Sequence, residues 1–138
     1  VELADPFTIT VVDPCDSPLG LLPSLLEDQE YTITDNPSPY QFPPFSSTPN
    51  WCEITYSYVI TDVAGDEAVA SFDPISRTFT FDFSDDLSLS GATSTQYTVS
   101  VVAEVGNVDK LINSDDFILE IKNPCIDPAF VTVEKPVL

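Results

Sequence analysis

Residues 52–61, with the sequence CEITYSYVIT, decide the fold of this chain. Apolar or aromatic side chains fill every second position up to residue 60, whereas Glu53, Thr55 and Ser57 lie between them. Successive side chains of a β-strand point to opposite faces, so this period of two predicts a strand with one buried face. The predicted inward face consists of Cys52, Ile54, Tyr56, Tyr58 and Ile60.

Similar alternation recurs in short runs on both sides of this stretch, with Pro and Asp between the runs. Asp73-Pro74-Ile75-Ser76 separates two of them, and proline at the second position is typical of a type I turn. Only Leu19–Leu26 could form a helical turn or two, and Pro23 interrupts it. About seven short strands without helices between them predict an all-β sandwich. The other predicted strands are Phe7–Val12, Tyr31–Thr34, Ala68–Phe72, Arg77–Phe83, Tyr97–Val105 and Phe117–Ile121.

Residues 36–50, NPSPYQFPPFSSTPN, stand apart because they are rich in proline. Proline donates no backbone hydrogen bond, so this segment is predicted to be an extended loop over one edge of the sandwich. The alternative is a glycosylated or partner-binding loop, although the chain contains no Asn-x-Ser/Thr acceptor.

The composition predicts a folded, strongly acidic domain. The chain has 138 residues, 43% of them hydrophobic, and a net charge of −19. That length suits one domain with a real core. The acidic surface excludes nucleic acid and anionic membranes as partners. The apolar runs are too short to span a bilayer, and a signal peptide is expected to have been removed or to lie upstream.

Cysteine and histidine usage limits the chemistry. There are three cysteines and no histidine, which argues against a zinc site and against Ser–His or Cys–His catalysis. Acid–base catalysis needs two converging carboxyls, whereas the adjacent acids in Asp85-Asp86 and Asp115-Asp116 point to different sides. We therefore expect no enzymatic activity and no required cofactor. Cys15, Cys52 and Cys125 are predicted to form disulfides in an oxidising compartment.

An internal repeat is the most informative feature. The segment from Asp5 to Pro18 matches the segment from Asp115 to Pro128 at a constant offset of 110 residues. The matched positions share Asp, Phe, an alternating strand, Asp/Asn-Pro-Cys and a later Pro. A period of this length is that of one sandwich domain, which predicts a chain built as a repeat unit.

The repeat divides the chain into three parts. Residues 16–125 are predicted to form the sandwich unit. Residues 1–15 then correspond to a terminal strand shared with, or donated to, a neighbouring unit. Residues 126–138 correspond to a linker, the start of the next unit or a C-terminal strand extension. We expect Cys15 to pair with Cys52, so that each unit owns one cysteine from its start and one from its third strand. Cys125 would then pair with the equivalent of Cys52 in the next unit.

Several motifs together resemble those of a known class of extracellular domain. They are Asp13-Pro14-Cys15, Tyr31-Thr32-Ile33, Cys52 before a Tyr-rich strand, Phe72-Asp73-Pro74 before Arg77-Thr78-Phe79, Tyr97-Thr98-Val99, and Phe117–Cys125. This pattern resembles the cadherin-like and immunoglobulin-like tandem repeats of large extracellular proteins. The resemblance implies a sandwich of about seven strands with strand-forming terminal extensions, located outside the cell or at its surface. The Asp-x-Asn-Asp-Asn and Asp-Arg-Glu calcium motifs of cadherins are missing.

Two hypotheses for function follow. The first is a structural subunit or repeat of an extracellular filament, with copies of itself or adjacent repeats as partners and head-to-tail pairing of terminal strands. The second is a carbohydrate-binding or adhesive module, and attached glycans are a further candidate partner. The predicted assembly residues are Phe7, Ile9, Val11, Phe130, Val131 and Val133, and the predicted glycan contacts are Trp51, Tyr40, Phe42 and Phe45.

Calcium is the candidate ion, because it binds carboxylate and carbonyl oxygens. No spacing in the chain matches a known calcium loop. The acids expected to converge near the domain junction are Asp13, Asp16, Asp62, Asp66, Asp115, Asp116 and Asp127.

Overall fold

The computed structural model describes residues 5–32, 38–61, 70–81 and 94–123. Every regular element within these ranges is a β-strand. None of the described residues forms a helix that could cross a membrane. The strands are β1 Gly20–Leu22, β2 Gln29–Thr32, β3 Tyr40–Gln41, β4 Ser46–Thr48, β5 Ile54–Thr61, β6 Ala70–Asp73, β7 Thr78–Phe81, β8 Ser94–Val105 and β9 Leu111–Lys122.

The strands form two layers, as the alternating sequence pattern predicts. One layer is a four-stranded sheet in the order β2-β9-β8-β5. Its two longest strands, β8 and β9, pair antiparallel from Ser94↔Lys122 to Val105↔Leu111. The other layer contains the three-stranded sheet β3-β7-β6, while β1 and β4 form a separate pair in which the Leu21 carbonyl accepts Asn113 Nδ2 of β9 at 2.8 Å. The prediction of an all-β sandwich is confirmed.

Aromatic side chains from both layers meet in the core. Phe79 of β7 is fully buried, and its ring centroid lies 5.4 Å from that of Tyr58 in β5 and 5.4 Å from that of Phe117 in β9. The predicted strand Tyr97–Val105 has apolar side chains at every second position, and all of them are buried in β8, namely Tyr97, Val99, Val101, Ala103 and Val105. Period-two alternation therefore identified the inner face of β8 correctly.

The predicted turn between two strands is present. The N–H of Ile75 donates to Asp73 Oδ1 at 3.0 Å, and Ser76 Oγ donates to Asp73 Oδ2 at 2.8 Å. These bonds lower the pKa of the Asp73 carboxyl, the hydroxyl bond contributing most. Arg77 closes the turn with a φ of 55°.

The proline-rich segment corrects one prediction. It does not lie over an edge as a loop, because β3 pairs with β7 and β4 pairs with β1. Pro43 and Pro44 fall between these two short strands, where no ladder donor is needed. The segment thereby places Tyr40, Phe42 and Phe45 in the core.

Two segments near the N-terminus complete the comparison with the sequence pattern. Leu19–Leu26 contains no helical turn and supplies β1 instead. Residues 7–12 have no regular secondary structure and no strand partner among the residues that the structure describes, so the terminal strand shared with or donated to a neighbouring unit stays a prediction.

Candidate assembly surface

The N-terminal segment, residues 5–12, exposes an unusual amount of apolar surface. Phe7 is 82% exposed, Ile9 73% and Val11 90%. The repeat offset of 110 equates these three residues with Phe117, Leu119 and Ile121, which are at most 1% exposed in β9. One copy of the pattern thus completes the core, while the other lies in solvent.

The residues that follow the N-terminal segment are firmly attached. The Cys15–Cys52 disulfide that the sequence predicts is present. The carbonyl of Cys15 accepts the N–H of Asn107 at 3.1 Å, and the carbonyl of Asp16 accepts the N–H of Asp109 at 2.8 Å. These bonds hold the chain against the loop that joins β8 to β9. The N-terminal segment therefore leaves the domain from a fixed point at that end, whereas β9 finishes at the opposite end.

The outer edge of β9 is closed by side chains. β2 pairs only with Leu119–Lys122 of β9. Nearer the start of β9, side-chain oxygens take the place of a strand. Asn113 Oδ1 accepts the N–H of Ser114 at 2.9 Å, and Asp115 Oδ1 accepts that of Asp116 at 2.9 Å. Asp28 Oδ1 accepts the N–H of Ile118 at 2.8 Å. Occupied donors and negative charge discourage pairing with another strand.

The outer edge of β5 is different. No other strand pairs with it among the residues that the structure describes. Its eight residues, ITYSYVIT, include no charge, no proline and no glycine. On its outward face Val59 is 53% exposed. An edge strand of this length and composition is a template for strand addition.

Two tyrosines fix β5 to the opposite layer. Tyr56 Oη accepts the N–H of Phe45 at 2.9 Å, and Tyr58 Oη donates to the carbonyl of Ala70 at 2.9 Å. Burial raises the pKa of the Tyr56 hydroxyl. The alternating pattern predicted that these side chains are inward, but it carried no signal for their hydroxyl partners. The sequence pattern likewise carried no signal for the hydrogen bond between Asp28 and β9, which joins residues 90 apart in sequence.

The acids predicted to bind calcium are only partly described. Asp62, Asp66 and Asp127 lie outside the described residues. Asp13 Oδ1 accepts the N–H of Cys15, and Asp16 Oδ1 accepts Asn107 Nδ2 near the β8–β9 loop. Asp115 and Asp116 lie further along β9, opposite Val101 and Ser100. Among the residues with a described position, no three His, Cys, Asp or Glu side chains form a group that could hold a metal ion. The calcium site stays a prediction.

The predicted glycan contacts are not brought together on the surface. Tyr40, Phe42 and Phe45 are buried, and the Phe42 ring packs against Tyr56 at 5.5 Å. Trp51 is 71% exposed. Three of the four aromatic rings are therefore unavailable for stacking on a sugar, because the core uses them. The remaining predicted residues, Cys125, Phe130, Val131 and Val133, lie outside the described part of the chain.

Comparison with known proteins gives structural similarity without sequence relatives. No protein-family model matches the chain, and a search of curated proteins found no match. Among solved structures, three cadherin domains of Drosophila N-cadherin (EC1-3) give a TM-score of 0.49 at 13% identity, covering 70% of this chain and 31% of that one. The third cadherin domain of human protocadherin 7 gives 0.49 at 14% identity, covering 87% and 96%. Cadherin domains 3-6 of protocadherin gamma B2 give 0.45 at 21% identity, covering 75% and 22%.

This chain thus spans about a third or less of the multidomain cadherins and nearly all of the single domain. The similarity is one of overall outline. The strand pairing and the core described above establish the sandwich independently of it.

Proposed function

We propose that this chain is a structural subunit or repeat of an extracellular filament or surface fibre, assembled head-to-tail by pairing of its terminal strand. The observation that carries the proposal is the exposure of Phe7, Ile9 and Val11 in the pattern that β9 buries completely. A segment with this pattern is matched to the face of a β-sandwich, and the described residues give it no strand partner.

The expected energy of such pairing is large enough for stable assembly. Full burial of one large apolar side chain contributes about 1.5–3 kcal/mol. Burial of three would contribute roughly 5–9 kcal/mol before the cost of ordering the segment. Main-chain hydrogen bonds of an added strand would supply further affinity and fix the register.

The geometry favours an open chain of subunits. The N-terminal segment leaves beside the β8–β9 loop, and β9 ends at the other end of the sandwich. Contact between one surface on a subunit and a different surface on the next is heterologous. Heterologous contacts that do not close into a ring generate a filament.

An extracellular location is supported by the disulfide, since such bonds persist in oxidising compartments. The net charge of −19 would keep separate filaments from sticking to one another. We propose copies of this chain or adjacent repeats as the partners. The predicted bond of Cys125 to a neighbouring unit would add a covalent link.

Sedimentation velocity and negative-stain electron microscopy of the full chain test the proposal. We expect concentration-dependent oligomers or fibres, and a folded monomer after deletion of residues 1–12. Circular dichroism of the shortened chain controls for folding. A second variant without residues 129–138 tests the C-terminal extension. If both variants still form fibres, assembly through terminal strands is wrong. Intact mass with and without reductant reports whether Cys125 links neighbours.

A further inference from the structure

We infer that the outer edge of β5 accepts the N-terminal segment of a second copy. The inference rests on the proposed function and adds the acceptor surface to it. Its basis is a comparison of the sheet edges in the described residues, together with the charge of the two surfaces that would meet.

The sheet edges differ in what they offer to an incoming strand. β2 has four residues and carries Glu30, whose carboxylate pairs with Lys122 Nζ at 2.8 Å. The free part of the β9 edge has its donors occupied by Asn113, Asp115 and Asp28. β6 has four residues and ends in an aspartate. β5 alone among these edge strands combines eight residues with an edge free of charge.

The charge distribution of the chain also favours the outer edge of β5 as the acceptor. Each copy carries a net charge of −19, so two copies repel one another, and the repulsion is smallest where neutral surfaces meet. Residues 6–12, PFTITVV, contain no charged side chain. Residues 54–61 contain none either, and the two stretches are of similar length. A neutral donor and a neutral acceptor of matched length are the partners that suit strand addition in so acidic a protein.

The side chains also match. The inward residues Ile54, Tyr56, Tyr58 and Ile60 are only partly buried, because β5 is the last strand of its sheet. A strand added outside β5 with Phe7, Ile9 and Val11 inward would cover their exposed flanks. The hydroxyl bonds of Tyr56 and Tyr58 already hold β5 in place, so the acceptor would need little rearrangement.

Hydrogen–deuterium exchange of the full chain over a concentration series tests this directly. The amides of residues 54–61 should gain protection as the chain associates, whereas those of 112–118 should not. A synthetic peptide of residues 5–13 should give the same protection in trans. The control peptide carries Thr in place of Phe7, Ile9 and Val11, which keeps the length and charge but removes the apolar face in every register.

A pair of substitutions provides a second readout. Val59 and Ile112 are both exposed on the outward face of the same sheet, at 53% and 66%. V59E should weaken association by about tenfold or more, whereas I112E should change it by less than about twofold. Thermal melting of both variants under monomeric conditions controls for folding.

The outcomes separate the two proposals. Concentration-dependent protection of β5 together with a selective V59E effect supports the inference. Association that depends on residues 1–12 but leaves β5 exchange unchanged, or equal effects of V59E and I112E, overturns it and leaves the proposed function standing. A full chain that stays monomeric at all concentrations and ignores the peptide overturns both.

Discussion

The two copies of the repeated phenylalanine should respond in opposite ways to the same substitution. Phe117 is 1% exposed, and its ring centroid lies 5.2 Å from that of Tyr40 and 5.4 Å from that of Phe79. F117A should lower the free energy of unfolding by about 3–5 kcal/mol, because it removes buried surface and leaves a cavity. Phe7 is 82% exposed, so F7A should change that free energy by less than about 0.5 kcal/mol.

Assembly should show the reverse ranking. F7A removes the largest apolar group of the N-terminal segment and should weaken self-association by tenfold or more, an effect of about 1.4 kcal/mol or greater. Under conditions in which F117A remains folded, it should self-associate as strongly as the unsubstituted chain. Urea unfolding at monomeric concentration gives the first quantity, and sedimentation velocity gives the second. A loss of more than about 1 kcal/mol of monomer stability in F7A would contradict this prediction, since the N-terminal segment would then pack on its own domain.

Three further predictions follow from local features. Replacing both Cys15 and Cys52 by Ala should reduce the free energy of unfolding by about 4 kcal/mol in urea titrations, because the bond closes a separation of 37 residues; a loss below about 1 kcal/mol would contradict the entropic estimate. G106A should lower the free energy of unfolding by about 1–3 kcal/mol, because φ is +115° and the new Cβ would lie 2.6 Å from the Asp109 carbonyl oxygen. G20A is the matched control in the same urea titrations and should have a smaller effect, because its Cβ would lie 3.4 Å from Thr48 Oγ1. Burial favours the neutral phenol and raises the pKa values of Tyr31, Tyr40 and Tyr56. The stabilising contribution of these tyrosines is therefore complete below pH 10 and is lost as pH rises through the raised pKa values. A free energy of unfolding that stays constant from pH 9 to 12 would contradict this prediction.

The strands that matter most for the core were predictable because their faces alternate without interruption. β5 and β8 show the period of two, as does β9 from Phe117 onward, and the repeat offset identified Cys15 and the pattern of that second half of β9. The first half of β9, where residues 114–116 are exposed in succession, was not predicted as a strand. The disulfide partner followed from the repeat as well. These features depend on local sequence, or on similarity within the chain, and need no knowledge of distant contacts.

The proline-rich segment shows where such reasoning stops. Its prolines argued for an edge loop, yet Phe42 and Phe45 on either side of Pro43-Pro44 are at most 3% exposed. Burial of these rings outweighs the loss of two ladder donors, and the break between β3 and β4 absorbs the prolines. The occupation of the β9 edge by side chains could not be predicted from the sequence either, because the Asp28 carboxylate comes from a distant part of the chain.

The position of the disulfide has a mechanical consequence. Tension arriving along the N-terminal segment passes from Cys15 directly to Cys52, two residues before β5. The chain between the two cysteines is thereby removed from the stretched length, which shortens the extension available on unfolding by roughly 120 Å at about 3.4 Å per residue. The force then runs down β5 and out through the end of β9. It loads the eight residue pairs of the β5–β8 ladder and the twelve of the β8–β9 ladder in shear, parallel to the strands, so that their hydrogen bonds resist together instead of opening one by one.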